Sequence, residues 1–146
     1  MIKQKRQKGF TLIEILIVVA IIGLLSSIIL VGLGSFRARG RDARRVADLR
    51  ETQNALELYY AKNGSYPGSA AWSALSGTLT GAGIGVTAIP KDPLSGQNYW
   101  YGSNGQSYVL AAQLENNDTN TPPLSDDIDG SVFGINCGDP VYCIQF

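Results

Sequence analysis

GFTLIEILIVVAIIGLLSSIILVGLGSF, residues 9–36, carries a single charged side chain, Glu14, in a run that is otherwise apolar or small. At 1.5 Å per residue, the helix over 10–36 is roughly 40 Å long. That exceeds a hydrocarbon core of about 30 Å, so the segment can span a membrane with tilt. A secretory signal would be shorter and would place its small cleavage residue after the apolar stretch. Here Gly9 precedes the stretch, and the residues ahead of it include Lys3, Lys5, Arg6 and Lys8. The alternative at this point is a plain uncleaved anchor.

The helical pattern continues beyond the apolar run. Val46, Leu49, Leu56 and Tyr60 recur at spacings of three, four and seven, with Gln53 interrupting the stripe and charged residues on the other faces. No proline occurs between Phe10 and Lys62, and Asn63-Gly64 followed by Pro67 supplies a stop. The spacing thus predicts one helix over about 10–62, hydrophobic all round in its first half and amphipathic in its second, which requires two different environments. Residues 64–98 are rich in Gly, Ser, Ala and Thr, with a short helix expected at 70–75 and an extended turn at Ile89-Pro90-Lys91-Asp92-Pro93. Gly81-Ala82-Gly83-Ile84-Gly85 lacks the Lys-Ser/Thr of a phosphate loop. Tyr99-Trp100-Tyr101 and 107–114 flank a hairpin turn, and 131–135 and 141–146 are further candidate strands. The order predicts an α+β fold, a long N-terminal helix packed on a small antiparallel sheet.

Charge is laid out unevenly over the 146 residues. Eleven of the twelve Lys and Arg lie in residues 1–62, and after Asp92 the only charged residues are Glu115, Asp118, Asp126, Asp127, Asp129 and Asp139. The basic stretch of Arg37, Arg39, Arg41, Arg44, Arg45 and Arg50 reads as a solvated helix face or as a source of salt bridges between subunits, with DNA or anionic lipid as an alternative partner. There is no histidine, which removes the commonest general base and metal ligand. No Ser or Cys nucleophile has an identifiable base, so the chain does not read as an enzyme. Two cysteines without histidine are too few for a zinc site, and in an exported chain a Cys137–Cys143 disulfide is the simpler reading. Free thiols are the alternative.

Lys8-Gly9-Phe10-Thr11-Leu12-Ile13-Glu14, continued by Ile17-Val18-Val19-Ala20-Ile21-Ile22-Gly23, resembles the class III signal of type IV pilins and type II secretion pseudopilins. Leu56-Glu57-Leu58-Tyr59-Tyr60 and Ile89-Pro90-Lys91-Asp92-Pro93 are most similar to the major pseudopilin, whereas the C-terminal cysteine pair is more like a pilin. The resemblance implies a pilin-like fold and three parts: a leader over 1–9, a transmembrane and polymerisation helix over 10–36, and an extracytoplasmic domain over 37–146. It implies that a prepilin peptidase cuts after Gly9 and methylates the new amine of Phe10. It also implies that Glu14 pairs with the N-terminal amine of a neighbouring subunit. A carboxylate inside an apolar span costs about 2.5–3.5 kcal/mol on insertion scales, so some partner is required unless Glu14 stays hydrated at the surface. The further partners implied are identical or related pilin subunits, an inner-membrane assembly platform and membrane lipid. Counting Lys and Arg on either side of the span does not place the N-terminus in the cytoplasm; that orientation comes from the resemblance. Many pilins carry a proline at the position of Val31, and Gly32 and Gly34 are the residues able to loosen the helix here.

The stretch Asn116-Asn117-Asp118 to Ser125-Asp126-Asp127-Ile128-Asp129-Gly130 concentrates oxygen ligands suited to a hard cation and does not fit EF-hand spacing. Its position resembles the calcium loop of the major pseudopilin, which implies Asp126 and Asp127, with Asp118 and the Leu114 carbonyl, as ligands of Ca²⁺. A solvated acidic loop is the alternative. For the whole chain the expected function is a filament subunit: a secretion pseudopilus, or alternatively a pilus for adhesion, motility or DNA uptake. A membrane-anchored binding module is the reading from a different class.

Overall fold

A computed structural model describes residues 9–146, with the side chains of 28–32 outside the description. The expected leader, Gly9 excepted, therefore lies outside the described residues. The chain divides into two compact units, Met1–Arg37 and Ala38–Phe146.

Helix α1 runs Leu12–Asn63. In the first unit its large apolar side chains are exposed at consecutive positions, from Leu12 at 80% to Leu25 at 52%, so no face is covered. Among the described residues no helix is long and apolar enough to cross a membrane; the span expected at 10–36 runs through 28–32, whose side chains are not described. α1 stops where the sequence places the stop. Gly64 takes the left-handed conformation at φ +75° and donates its N–H to the Tyr60 carbonyl at 2.8 Å, which satisfies one of the orphan carbonyls of the last turn.

In the second unit, α1 forms one wall of the core. The fully buried stripe is Arg45, Leu49, Thr52 and Leu56. Val46 is only partly buried. Helix α2, Trp72–Gly81, starts later and runs longer than the segment expected at 70–75. Its packing explains the shift, since Trp72, Leu75 and Leu79 fall on one face and are buried.

The main sheet has the order β1-β2-β5, all antiparallel, with β1 at Trp100–Ser103, β2 at Tyr108–Gln113 and β5 at Val141–Gln145. In the β1–β2 hairpin, Asn104 Oδ1 accepts the N–H groups of Gln106 and Ser107 at 2.9 and 2.8 Å, an Asx turn. One face of the sheet packs on α1 and α2 through Tyr101, Tyr108, Leu110, Ala112 and Tyr142. The other face is covered by the C-terminal segment around Val109, Ala111, Cys137 and Cys143.

Residues 131–135, expected as one strand, form a separate hairpin, β3 (Ser131–Val132) and β4 (Ile135–Asn136). Its turn residues, Phe133 and Gly134, have φ of +48° and +82°. A two-residue hairpin turn of type I′ has positive φ at both turn positions, and a phenylalanine there gives no warning of it. Gly102 admits this hairpin against β1: a Cβ at Gly102 would lie 2.8 Å from the Phe133 carbonyl oxygen.

Candidate functional site

Two regions bear on function: the head of α1 and the acidic segment around the disulfide. At the head, Phe10 is 84% exposed and Gly9 is exposed. Thr11 precedes the first helical residue, and its side-chain oxygen accepts the Glu14 N–H at 3.3 Å. In return Glu14 Oε2 accepts the Thr11 N–H at 2.9 Å and the Thr11 hydroxyl at 2.7 Å. This is a reciprocal capping box, which satisfies two orphan donors of the first turn. The signature Thr-x-x-Glu stands in the sequence and predicts it, yet a reading of Glu14 as an intermolecular partner alone passes over it. Within one chain Glu14 already has a local role, and one of its oxygens, Oε1, is not engaged in these bonds.

In the second unit, Cys137 and Cys143 are disulfide-bonded with Cα atoms 5.7 Å apart, and both are buried. The sequence points to calcium ligands at Asp118, Asp126 and Asp127. The structure does not gather those three. Asp118 accepts the Asn120 N–H and the Thr121 hydroxyl, both at 3.1 Å, and these hydrogen bonds lower its pKa. It lines a groove of about 650 Å³ together with Arg39, Val46 and Leu124. Asp126 accepts the Ser125 hydroxyl at 3.0 Å. The carboxylates that come together among the described residues are Asp127, Asp129 and Asp139, with one oxygen of each within 4.8 Å of the others. Asp139 lies far along the chain from the acidic loop, so spacing gives no sign that it belongs with Asp127.

Asp127 is the inner member of the three. Its Oδ2 accepts the Cys143 N–H at 2.9 Å. Its Oδ1 is buried without a hydrogen-bond partner. Burial pushes the Asp127 carboxyl upward, the Cys143 N–H opposes that, and the neighbouring charges of Asp139 and Asp129 add to the rise. An anionic oxygen removed from water and set beside two like charges calls for a cation or a proton.

The basic stretch resolves differently from its sequence reading. Arg45, read as part of a solvated or intersubunit face, is 1% exposed and bound within its own chain. Its Nε and NH2 groups donate to Asp92 at 2.7 and 3.0 Å, and its NH1 donates to Asp42 at 2.7 Å and to Glu115 at 2.8 Å. Arg41 adds a two-pronged contact to Glu115 at 2.7 and 2.5 Å. Asp42 in turn accepts the backbone N–H groups of Glu115 and Asn116. This node joins α1 to the loops at 92 and 115. The Arg41 hydrogen bond does most to hold the Glu115 carboxyl down at about 2; partial burial opposes it and Arg45 assists. Charge pairing explains why an arginine occupies the buried stripe: three carboxylates from separate parts of the chain need one cation with a rigid fork of donors.

Comparison with known proteins bears on the family. The prokaryotic N-terminal methylation motif matches residues 4–30. The type II secretion system core protein G of Vibrio cholerae serotype O1 is 33% identical over 116 residues, covering 74% of this chain and 79% of the relative. That of Aeromonas hydrophila is 34% identical over 65 residues, so that the chain spans 46% of that relative's length. A fimbrial protein of Neisseria meningitidis is 36% identical over 63 residues, 43% of this chain and 37% of the relative. No solved structure matches. With similarity across most of the Vibrio protein and the methylation motif at its head, the chain belongs to the family of the type II secretion system core protein G.

Proposed function

We propose that the chain is the repeating structural subunit of a membrane-assembled pseudopilus that acts in protein secretion. The observation that carries this reading is the head of α1. The motif Gly9-Phe10-Thr11-Leu12-Ile13-Glu14 opens a helix whose apolar side chains are exposed on every face, and the same helix continues into a separately folded unit. Such a surface has no stable place in water; lipid and then the helices of neighbouring subunits are the environments that suit it. On this reading a prepilin peptidase cuts after Gly9 and methylates Phe10. The helix over 10–36 anchors the subunit in the inner membrane with its folded domain outside the cytoplasm, and an assembly platform extracts it into the filament. The Phe10 amine of one subunit pairs with Glu14 of the next through the oxygen that the capping box leaves unengaged. The role is structural, not catalytic, and a chain without histidine suits it. The match to a fimbrial protein favours a type IV pilus subunit as the second reading, although it is confined to 63 residues.

The same proposal includes a hard divalent cation of the calcium type. Asp127, Asp129 and Asp139 would hold it, in place of the set Asp118, Asp126 and Asp127. What supports this is that Asp127, Asp129 and Asp139 each bring one oxygen within 4.8 Å of the others, an all-oxygen donor set of the kind such an ion takes, and that Asp127 Oδ1 is buried without a hydrogen-bond partner. The ion would neutralise the three charges and fasten the loop.

Two measurements test the filament reading. Mass spectrometry of the mature protein is expected to find N-methylated Phe10 as the first residue. Glu14→Ala is expected to be processed and inserted yet to yield no sedimentable filaments. Filaments formed at the wild-type level by a processed Glu14→Ala chain would refute the pairing.

A further inference from the structure

Two stretches of the chain read Asn-X-Ser/Thr: Asn63-Gly64-Ser65 and Asn117-Asp118-Thr119. That spacing is the acceptor pattern for an N-linked oligosaccharide in an exported chain. Its physical basis is extended backbone, in which residues i and i+2 project to the same side, so the hydroxyl lies beside the amide to be modified. On a helix, i and i+2 do not face each other. The structure separates the two stretches on this ground. Asn63 is the last residue of α1, and its Nδ2 donates to the Tyr59 carbonyl at 2.9 Å. Gly64 follows in the left-handed conformation with its N–H bound to the Tyr60 carbonyl, and Ser65 is half-buried. Drawing Asn63 into an extended tripeptide means unwinding the end of the helix. Asn117 and Thr119 are both exposed, in the loop after β2 and outside every helix and strand. Among the described residues neither makes a hydrogen bond. The loop is fastened on both sides of them, by the Asn116 N–H on Asp42 at 2.9 Å and by the buried Leu124. Asp118 accepts the Asn120 N–H and the Thr121 hydroxyl, exposed bonds that water can replace.

We propose that Asn117 is an N-glycosylation site: its Nδ2 accepts an oligosaccharide carried on a lipid diphosphate, and Asn63 stays unmodified. In the transfer, Nδ2 attacks the anomeric carbon of the first sugar and forms a C–N bond. The bond from that carbon to the diphosphate oxygen breaks, the lipid diphosphate leaves with the electron pair, and one amide proton passes to a base on the transferase. No oxidant or reductant enters. An amide nitrogen is a poor nucleophile because its lone pair is delocalised into the carbonyl, so the side chain has to be free to turn in the transferase. Asn117 meets that condition, and Asn63, tied to Tyr59, does not. Thr119 is the recognition residue, since its hydroxyl stands two residues on from the acceptor. The inference rests on the extracytoplasmic placement of the folded domain proposed above, because the modification belongs to exported chains. A sugar chain at Asn117 adds bulk and hydration to the loop whose Asn116 and Asp118 line the groove of about 650 Å³.

The test is mass spectrometry of the full chain purified from its own cells, reading the peptides that contain Asn117, Asn63 and Phe10 in one digest. The Asn117 peptide is expected to carry the added mass of a sugar chain, and the Asn63 peptide none. Asn117→Gln and Thr119→Ala are each expected to lose that mass completely, and Thr119→Ser to keep it. Asn120→Gln is expected to leave it unchanged, since Asn120 is an exposed neighbour with Pro122 where the hydroxyl would stand. All these substitutions fall on exposed residues, so the variants keep their fold. A bare Asn117 in the wild-type chain would overturn the inference, as would a sugar chain on Asn63 in its place or one retained in Thr119→Ala. The Phe10 peptide tells the two failures apart. Methylated Phe10 with bare Asn117 removes the glycan and leaves the filament reading standing, whereas an unprocessed N-terminus with bare Asn117 removes both.

Discussion

Arg45 is the side chain on which the second unit most depends. Its guanidinium is 1% exposed and lies against Asp92, 2% exposed, and Asp42, 8% exposed. Removing one member of a buried ion group strands the others, at a cost of about 3–5 kcal/mol. Arg45→Met is therefore expected to lower the thermal midpoint by well over 10 °C, at roughly 4 °C or more per kcal/mol, or to prevent folding; circular dichroism melts check this. Glu115 is the milder probe. Its carboxyl is held at about 2, against an ordinary value of 4.5, chiefly by the Arg41 hydrogen bond. A depressed acid contributes stability that is complete above its unfolded value and is lost as pH falls toward its folded one. The midpoint is expected to drop between pH 4.5 and pH 2, and Glu115→Gln should make that slope shallower. An equal slope in the variant would mean that other carboxylates govern acid unfolding. Little of this node is legible in the sequence: a periodicity reading sends arginine to the surface, and although Asp42 lies three residues away, Asp92 and Glu115 lie 47 and 70 residues away.

Elements with strong local signals were legible, and elements fixed by tertiary contact were not. The extent of α1 follows from a proline-free run ending at Asn63-Gly64, and the β1–β2 hairpin follows from Asn104-Gly105 between apolar segments. The β3–β4 hairpin has no such signal. It exists because β1 offers a glycine where it lands: a Cβ at Gly102 would meet the Phe133 carbonyl oxygen at 2.8 Å and the Phe133 Cβ at 2.9 Å. Backbone cannot yield as a flexible side chain does. Gly102→Ala is accordingly expected to destabilise the fold by about 1–3 kcal/mol. Amide exchange should locate the loss in 131–136, and unchanged protection there would count against the close approach as the cause. The disulfide pairing is legible, because a chain with two cysteines allows one pairing within itself. The cluster of carboxylates is only partly so: the acidic stretch points to Asp127, but the fold alone brings Asp129 and Asp139 to it.

At the scale of the whole molecule, the core found among the described residues belongs to the unit Ala38–Phe146. A fragment spanning 38–146 is expected to fold without the apolar segment and to melt within about 4 °C of the full chain in detergent, the shift that 1 kcal/mol gives. A larger fall would show that the preceding helix contributes to the stability of the domain. The α+β architecture and the two-environment helix could be read from the sequence, because both follow from where apolar residues cease to be continuous and become periodic. Sheet order carries a last consequence. Among the described residues β5 is an edge strand, paired with β2 alone, and its outward-facing Cys143 N–H is occupied by the Asp127 carboxylate. A bare strand margin is a template on which a stranger's strand can add, and the hazard grows with the number of copies crowded at one place. A charged side chain lying across that margin leaves an incoming strand facing an acceptor where it needs a donor. The Asp127 carboxylate thus guards this margin of the sheet against the addition of another chain's strand.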